Sequence, residues 1–390
     1  MFKSTDFTDP STCGSCHSDI FAQWQGSMHN NAFQDKFYLK MHDEASKDTN
    51  GAVDAYCTFC HTPIGTMSGE VPPTSGPQIS EISKKGVQCD LCHTVTSANF
   101  TFAPSKIKQG PFTDSISTFH ETAYNELFTK SEFCGMCHDV NHPDNNLALE
   151  ATYTEWKSSP YAAQGIQCQD CHMTPGPGVT KPNPGKAATG GPERTHIYTH
   201  QFVGGNATSL ASPEHQKLAV AQLQAAASLS ISSPPSVVPG GDMELQVTVN
   251  NRGAGHYLPT GLTEVREMWL DIDITDANGK TIYRSGAVGE NGSVDPKAVM
   301  YQTLFSDKDG QPTHKPWLAV ATLSDNRIPP MGSATEKYSV TVPAGTSMPL
   351  TVKAGLRYRT ASQSFVDELM GVDAVEMPVI DMANATAEAK

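Results

Sequence analysis

Ten cysteines, Cys13, Cys16, Cys57, Cys60, Cys89, Cys92, Cys134, Cys137, Cys168 and Cys171, fall into five pairs with two residues inside each pair. A histidine follows every pair: His17, His61, His93, His138 and His172. Two thiols at this spacing can add across the two vinyl groups of one porphyrin. The adjacent imidazole then falls under the iron, which is the attachment pattern of c-type haem. Zinc sites commonly take two such cysteine pairs, which would strand the fifth. Neither zinc, a disulfide nor a redox dithiol explains a histidine after every pair. The cofactors expected are therefore five c-type haems (iron). Covalent haem attachment takes place outside the cytoplasm, so the expected location is periplasmic or extracellular, at the cell surface. The start, MFKSTDFTDP, has no apolar h-region. The expectation is an export signal already removed or lying outside the numbering.

Of 14 histidines, nine remain after these five, enough to give every iron a second imidazole. A haem with two histidines is six-coordinate and suited to passing electrons, whereas an open sixth position suits substrate binding. His29 follows a short helical pattern beside the first motif, with Trp24 placed to pack on a porphyrin face. His120, in STFHETAY, precedes the fourth motif on an expected helix. His196 and His200, in RTHIYTHQF, are four apart: they share a face on a helix, or serve two haems from a loop. His256, in GAGHYLPTG, sits between glycines where the strand-rich text begins, a setting for a ligand pushed onto a haem. His42 and His142 are reserves, and His215 and His314 read as solvent-facing or hydrogen-bonded residues.

The elements that must position these groups divide the chain in two. The first cysteines of the motifs lie 44, 32, 45 and 34 residues apart. That alternation indicates an internal duplication with a period of about 77 residues. YCTFCH…GVQCDLCH is echoed by FCGMCH…GIQCQDCH, and QWQGSMHNNA by EWKSSPYA, where Pro160 stands near the His29 position. A chain this rich in haem uses the porphyrins as core. The modest 38% hydrophobic and 8% aromatic content agrees with that. DIFAQWQGSMHNNAF and ETAYNELFTKSEF read as short helices, and TPGPGVTKPNPGKAATGGPER as a linker or surface loop. SPEHQKLAVAQLQAAA reads as a helix with Ser212 as N-cap. Alternating strands follow in MELQVTVNN, EMWLDIDIT, EKYSVTVPAG and PLTVKAGLRYR, with a hairpin turn at Asn278-Gly279. SDKDGQPTH lacks the full calcium-loop pattern and reads as a turn. The expected class is α+β. A haem-packed domain of short helices and loops spans 1–205, a connecting helix 206–229, an antiparallel β-sandwich 230–375, and a loose tail 376–390.

CGSCH…QW…SMHNNAF, GVQCDLCH and FCGMCHDV…TYTEWKSSPY…GIQCQDCHM resemble the multihaem cytochrome c family. The branch is the one related to the tetrahaem electron acceptor of hydroxylamine oxidoreductase and to extracellular, filament-forming multihaem cytochromes. The resemblance covers residues 13 to about 205, and GAGHYLPTG resembles a domain appended to some such cytochromes. It implies parallel and perpendicular haem pairs in contact and mostly bis-histidine ligation. In filament-forming relatives it also implies haems stacked across subunits. The departures are five haems rather than four, and the added β-domain.

The function expected is electron transfer through a chain of haems, in extracytoplasmic or extracellular respiration. The partners expected are redox proteins or extracellular acceptors, with self-assembly into filaments as one form. The rival is a multihaem oxidoreductase acting on small nitrogen or sulfur compounds at a five-coordinate haem. Pentahaem nitrite reductases mark that haem with Lys in place of the motif histidine, and all five motifs here keep His. A third reading makes the β-domain an adhesive module. The net charge of −14 argues against nucleic acid. No apolar run reaches the roughly 20 residues of a transmembrane helix.

Overall fold

The computed structural model describes residues 1–207 and 212–390. The expected connection over 206–229 thus lies partly outside the described residues. The chain is α+β and separates into two compact units: Met1–Thr154 with Gln164–Gln222, and Glu155–Ala163 with Leu223–Lys390.

The first unit is built from short helices and loops. Helix α1, Ser18–Gln25, and the single turn α2, Met28–Asn31, carry the first histidine after the opening motif. Ser27 caps α2, its hydroxyl accepting the Asn30 amide at 3.4 Å. Helix α3, Lys36–Thr49, is capped by Asp35 on the Phe37 amide at 2.8 Å and stopped by Asn50 in the left-handed region at φ 51°. Helix α4, Asp54–His61, contains the second motif whole. Hydrophobic clusters are small here: Phe7, Ile64 and Leu91 in one, Phe33, Val71 and Ile79 in another.

ETAYNELFTKSEF does not form the expected helix. Glu121–Tyr124 is a strand running parallel to Ile107–Gly110, followed by a 3₁₀ turn at Glu126–Thr129 and one α turn at Glu132–Gly135. Asn125 breaks the run by capping the Leu127 amide at 3.0 Å, and Thr122 and Tyr124 suit a strand. His120 therefore precedes a strand rather than lying on a helix. His196 and His200 lie in irregular chain, so they do not share a helix face.

The second unit is strand-rich. Helix α5, Pro213–Ala226, matches its expectation; it belongs to the first unit as far as Gln222 and leads into β1, Ala227–Ser232. Strands β2, Asp242–Asn251, and β5, Ser333–Thr341, flank each other in one antiparallel sheet ordered β5-β2-β1. A second antiparallel sheet is ordered β4-β3-β6-β7, with β3 at Glu267–Thr275, β4 at Thr281–Ser285, β6 at Leu350–Arg359 and β7 at Ile380–Ala389. The β3–β4 turn passes through Gly279 at φ 80°, as the Asn-Gly pair requires. Met243, Leu245, Val247 and Val249 of one sheet and Leu270, Ile272, Ile274 and Val352 of the other share one fully buried core. Each such side chain contributes about 1.5–3 kcal/mol on burial.

The tail is not loose. β7 pairs with β6 from Leu350 opposite Ala389 to Tyr358 opposite Ile380. Its alternation was hidden because alanines fill most inward positions, and Met382 and Ala389 are buried. The SDKDG segment is a turn, in which Asp307 accepts the amides of Asp309 and Gln311 at 2.9 Å each.

Candidate haem sites

Each CxxCH motif folds as one helical turn. The amide of the motif histidine donates to the carbonyl of the first cysteine at 2.9–3.0 Å in four motifs, at His17, His93, His138 and His172. His61 ends α4. Cysteines three residues apart then sit on one side of the turn, with the histidine next to them. All ten thiols are free of disulfides.

The turns are brought close to one another. The thiols of Cys13 and Cys89 lie close enough to shift one another's ionisation, as do those of Cys60 and Cys137 and of Cys134 and Cys168. Each contact pushes one thiol down and its partner up, Cys168 falling to about 7. Motif one thus adjoins motif three, and motif four adjoins both two and five. Cys92 of motif three lies within electrostatic reach of Cys134 and Cys137 of motif four, which joins the two groups.

The motif imidazoles share one setting that spacing alone did not reveal. Nδ1 of His17 lies 2.6 Å from the Ala187 carbonyl, that of His61 2.9 Å from Ala32, that of His93 2.6 Å from Gln109, and that of His172 2.5 Å from Val203. His138 differs: its Nδ1 lies 3.0 Å from the Glu150 carboxylate. A proton held on Nδ1 by an acceptor leaves the Nε2 lone pair for a metal, the usual arrangement of a ligating histidine. Burial lowers His61 and His93. At His138 burial works the same way, but the Glu150 carboxylate outweighs it and holds the ring above its ordinary value.

Three expected distal histidines stand opposite motif histidines. Ring centres are 6.4 Å apart for His17 and His120, 6.2 Å for His138 and His29, and 6.5 Å for His93 and His200. Two metal–nitrogen bonds of about 2.0 Å, with about 1.1 Å from each nitrogen to its ring centre, put two imidazoles on one metal about 6.2 Å apart. The donor set therefore fits bis-histidine iron. Burial pushes both His29 and His200 down to about 3, keeping them neutral and able to bind metal.

Local sequence explains the hold on His29. Its carbonyl accepts the Val87 amide at 3.0 Å, and the indole of the buried Trp24 donates to the Val87 carbonyl at 2.8 Å. Gly86 makes that approach at φ 58°, and a Cβ there would stand 2.5 Å from the His29 oxygen. His200 is held through its amide, which donates to Gln23 Oε1 at 2.9 Å.

The other expected ligands have different settings. His196 accepts the Asn183 amide on Nδ1 at 3.0 Å. A neutral ring in that setting carries its proton on Nε2, the wrong tautomer for iron. His256 lies in the strand-rich unit with Nδ1 2.9 Å from the Tyr257 carbonyl. His42 is buried on α3 with no hydrogen bond to either nitrogen, Asp54 lying 3.9 Å from its Nε2. His61 faces none of these: Tyr38 stacks on its ring at 3.7 Å and 5°. His314 meets the Glu264 carbonyl at 2.6 Å, the bland role expected for it. The duplicate segment EWKSSPYA packs within the strand-rich unit, where Glu155 pairs with Arg327 at 2.6 Å.

Residues 12–94 match the family described as cytochrome c554 and c-prime. The crystal structure of a penta-haem cytochrome c552 from Thermochromatium tepidum superposes with a TM-score of 0.69 at 19% identity, covering 98% of this chain and 99% of that one. A CARDB domain from Pyrococcus furiosus, in complex with di-metal ions, covers 42% of this chain and 84% of that one at 13% identity, with a TM-score of 0.20. No curated protein matches. The motifs and the match over residues 12–94 agree with a multihaem c-type cytochrome, and the fold is shared with the penta-haem protein. The ten thiols and five motif histidines are a donor set that would hold c-type haem. Among the described residues no helix is long and apolar enough to cross a membrane.

Proposed function

We propose that the chain carries five haems, one on each motif, and passes electrons along them outside the cytoplasm, in respiration. The observation that carries this reading is the set of three imidazole pairs at 6.2–6.5 Å, spaced for two ligands on one iron. Haem supplies the one-electron chemistry. Within that scheme the ten cysteines fix each porphyrin, and the five motif histidines bind from one side with Nδ1 tied down. His120, His200 and His29 close the irons of motifs one, three and four. His196 is left out because of its tautomer. The connected order of motifs, one to three to four, with two and five beside four, supports a continuous path.

The T. tepidum protein is penta-haem, which supports the count of five. Residues 1–205 are proposed as the haem domain and 230–375 as a separate sandwich domain. The partners proposed are redox proteins or extracellular acceptors. Self-assembly into filaments finds no supporting observation and is not part of this proposal.

The oxidoreductase reading keeps one specific observation. The ring stacked on His61 is the phenol of Tyr38, at 3.7 Å and 5°, not an imidazole. An iron there with an open position would bind a small substrate.

The test is electron paramagnetic resonance and near-infrared magnetic circular dichroism of the oxidised holoprotein, with haem counted by mass. Five haems with bis-histidine signals from at least three support the conductor. Fewer than three such signals would sink the ligand assignment, and one high-spin haem lost on changing His61 would favour the enzyme.

A further inference from the structure

His196 is no iron ligand, yet its ring is set with care. Its Nδ1 accepts the Asn183 amide at 3.0 Å, so the neutral ring carries its proton on Nε2. Burial, and then the Lys181 ammonium, hold the ring below its ordinary 6.5, which keeps it neutral near pH 7. Nε2 is shut off from solvent and has no hydrogen-bond partner. It is therefore an N–H donor without an acceptor, and a buried donor left so is costly. The surroundings offer none. The Tyr198 ring stands edge-on, 4.7 Å from the His196 ring, and Lys181 lies 5.9 Å from the centre of the Tyr198 ring. Asp170 is the nearby carboxylate, but its two oxygens already meet Lys181 and the Gln167 amide.

This corner adjoins motif five. Asp170 lies inside the motif. The Thr199 amide donates to the Met173 carbonyl at 2.9 Å, one residue past His172. Asn183 and Ile197 tie the two sides of the corner together, each donating to the other's carbonyl at 2.7 Å. A haem held by Cys168, Cys171 and His172 brings its propionate carboxylates with it, the kind of acceptor the corner lacks. We propose that His196 donates a hydrogen bond from Nε2–H to a propionate carboxylate of the motif-five haem, with Lys181 as the positive charge beside it. The inference rests on the five-haem reading above. His196 is then a positioning residue: it stays off the iron and fixes the edge of the porphyrin.

Such a bond has an electrochemical signature. A carboxylate near an iron favours the ferric state, and a hydrogen bond draws off part of its charge. Without the donor the iron feels more of that charge, so the potential of this one haem falls while the others stay in place.

The test is a crystal structure of the oxidised holoprotein, with spectroelectrochemical titration of wild type, H196N and H196Q. The structure should place a propionate oxygen of the motif-five haem within about 3 Å of His196 Nε2. Asparagine keeps an oxygen near the Nδ1 position for the Asn183 amide but puts no donor at the Nε2 position, so H196N should lower one component of the titration. The longer glutamine carries its amide N–H groups to the Nε2 position, so H196Q should restore most of that shift. A merely structural role, through Asn183 alone, would make H196Q the worse variant. A water or another haem's carboxylate at Nε2, no component lowered in H196N, or equal shifts in H196N and H196Q overturns the proposal. A motif-five turn without haem, read from the mass of the intact chain, sinks the five-haem reading and this inference with it; with the haem in place, the other outcomes sink this inference alone.

Discussion

Replacing Glu150 by glutamine should raise the reduction potential of the motif-four haem and leave the others nearly in place. Glu150 is the one carboxylate among the five Nδ1 acceptors, 3.0 Å from His138 and 18% exposed. Glutamine keeps an oxygen for the Nδ1 proton, so the ring stays in its tautomer and only the charge is lost. A metal bonded to Nε2 of this ring stands about 7 Å from the carboxylate oxygen, across the hydrogen bond, the ring and a bond of about 2.0 Å. At an effective dielectric of about 20, one unit charge at that distance is worth about 2.4 kcal/mol. For one electron that corresponds to about 100 mV. The carboxylate favours the ferric state, which carries one more positive charge, so its removal moves the potential upward. Spectroelectrochemical titration of wild type and E150Q would show one component of the multi-step curve shifted and the rest within a few tens of millivolts. A downward shift, a shift spread equally over all components, or none beyond about 20 mV would refute the electrostatic reasoning.

Two further outcomes are expected. H196A should leave every low-spin signal of the holoprotein intact, whereas H200A should turn one haem high-spin; a new high-spin signal in H196A would contradict the tautomer drawn from Asn183. Glu70 is pushed up by burial, but bonds from Ser4, Ser80 and Ser83 outweigh this and hold it below its ordinary 4.5. Its contribution to stability is therefore present above that value and disappears as pH falls through the depressed one. Denaturation of wild type and E70Q should show a gap at neutral pH that closes in acid, and a gap independent of pH would count against the ionic origin.

How legible these sites were depends on where their chemistry lives. The haem attachments are contiguous, because two vinyl groups and one iron must be reached from five residues, so the text displays them whole. The facing imidazoles are more than 100 residues apart in each pair, as with His29 and His138. Only folding sets them opposite, and the pairing of ligand to motif was beyond reach. His120 was misplaced on a helix because ETAYNELF carries a helical run of apolar residues, while Asn125 and the parallel partner at Ile107–Gly110 decide otherwise. The last strand was hidden by its alanines: a strand paired along its full length needs only small inward residues when its neighbour supplies the bulk. The strands β2, β3, β5 and β6 were plain because each alternates large apolar residues with polar ones.

Four of the five motif imidazoles lean on main-chain oxygens, those of Ala32, Gln109, Ala187 and Val203. A carbonyl belongs to every residue type, so the side chains at these four positions are free to drift without turning a single imidazole. Orientation is thus stored in the path of the chain rather than in its letters. A chain built this way can exchange many of its residues and keep its imidazoles in place. Glu150 is the exception, and so the one acceptor position where selection can retune a potential by a single codon.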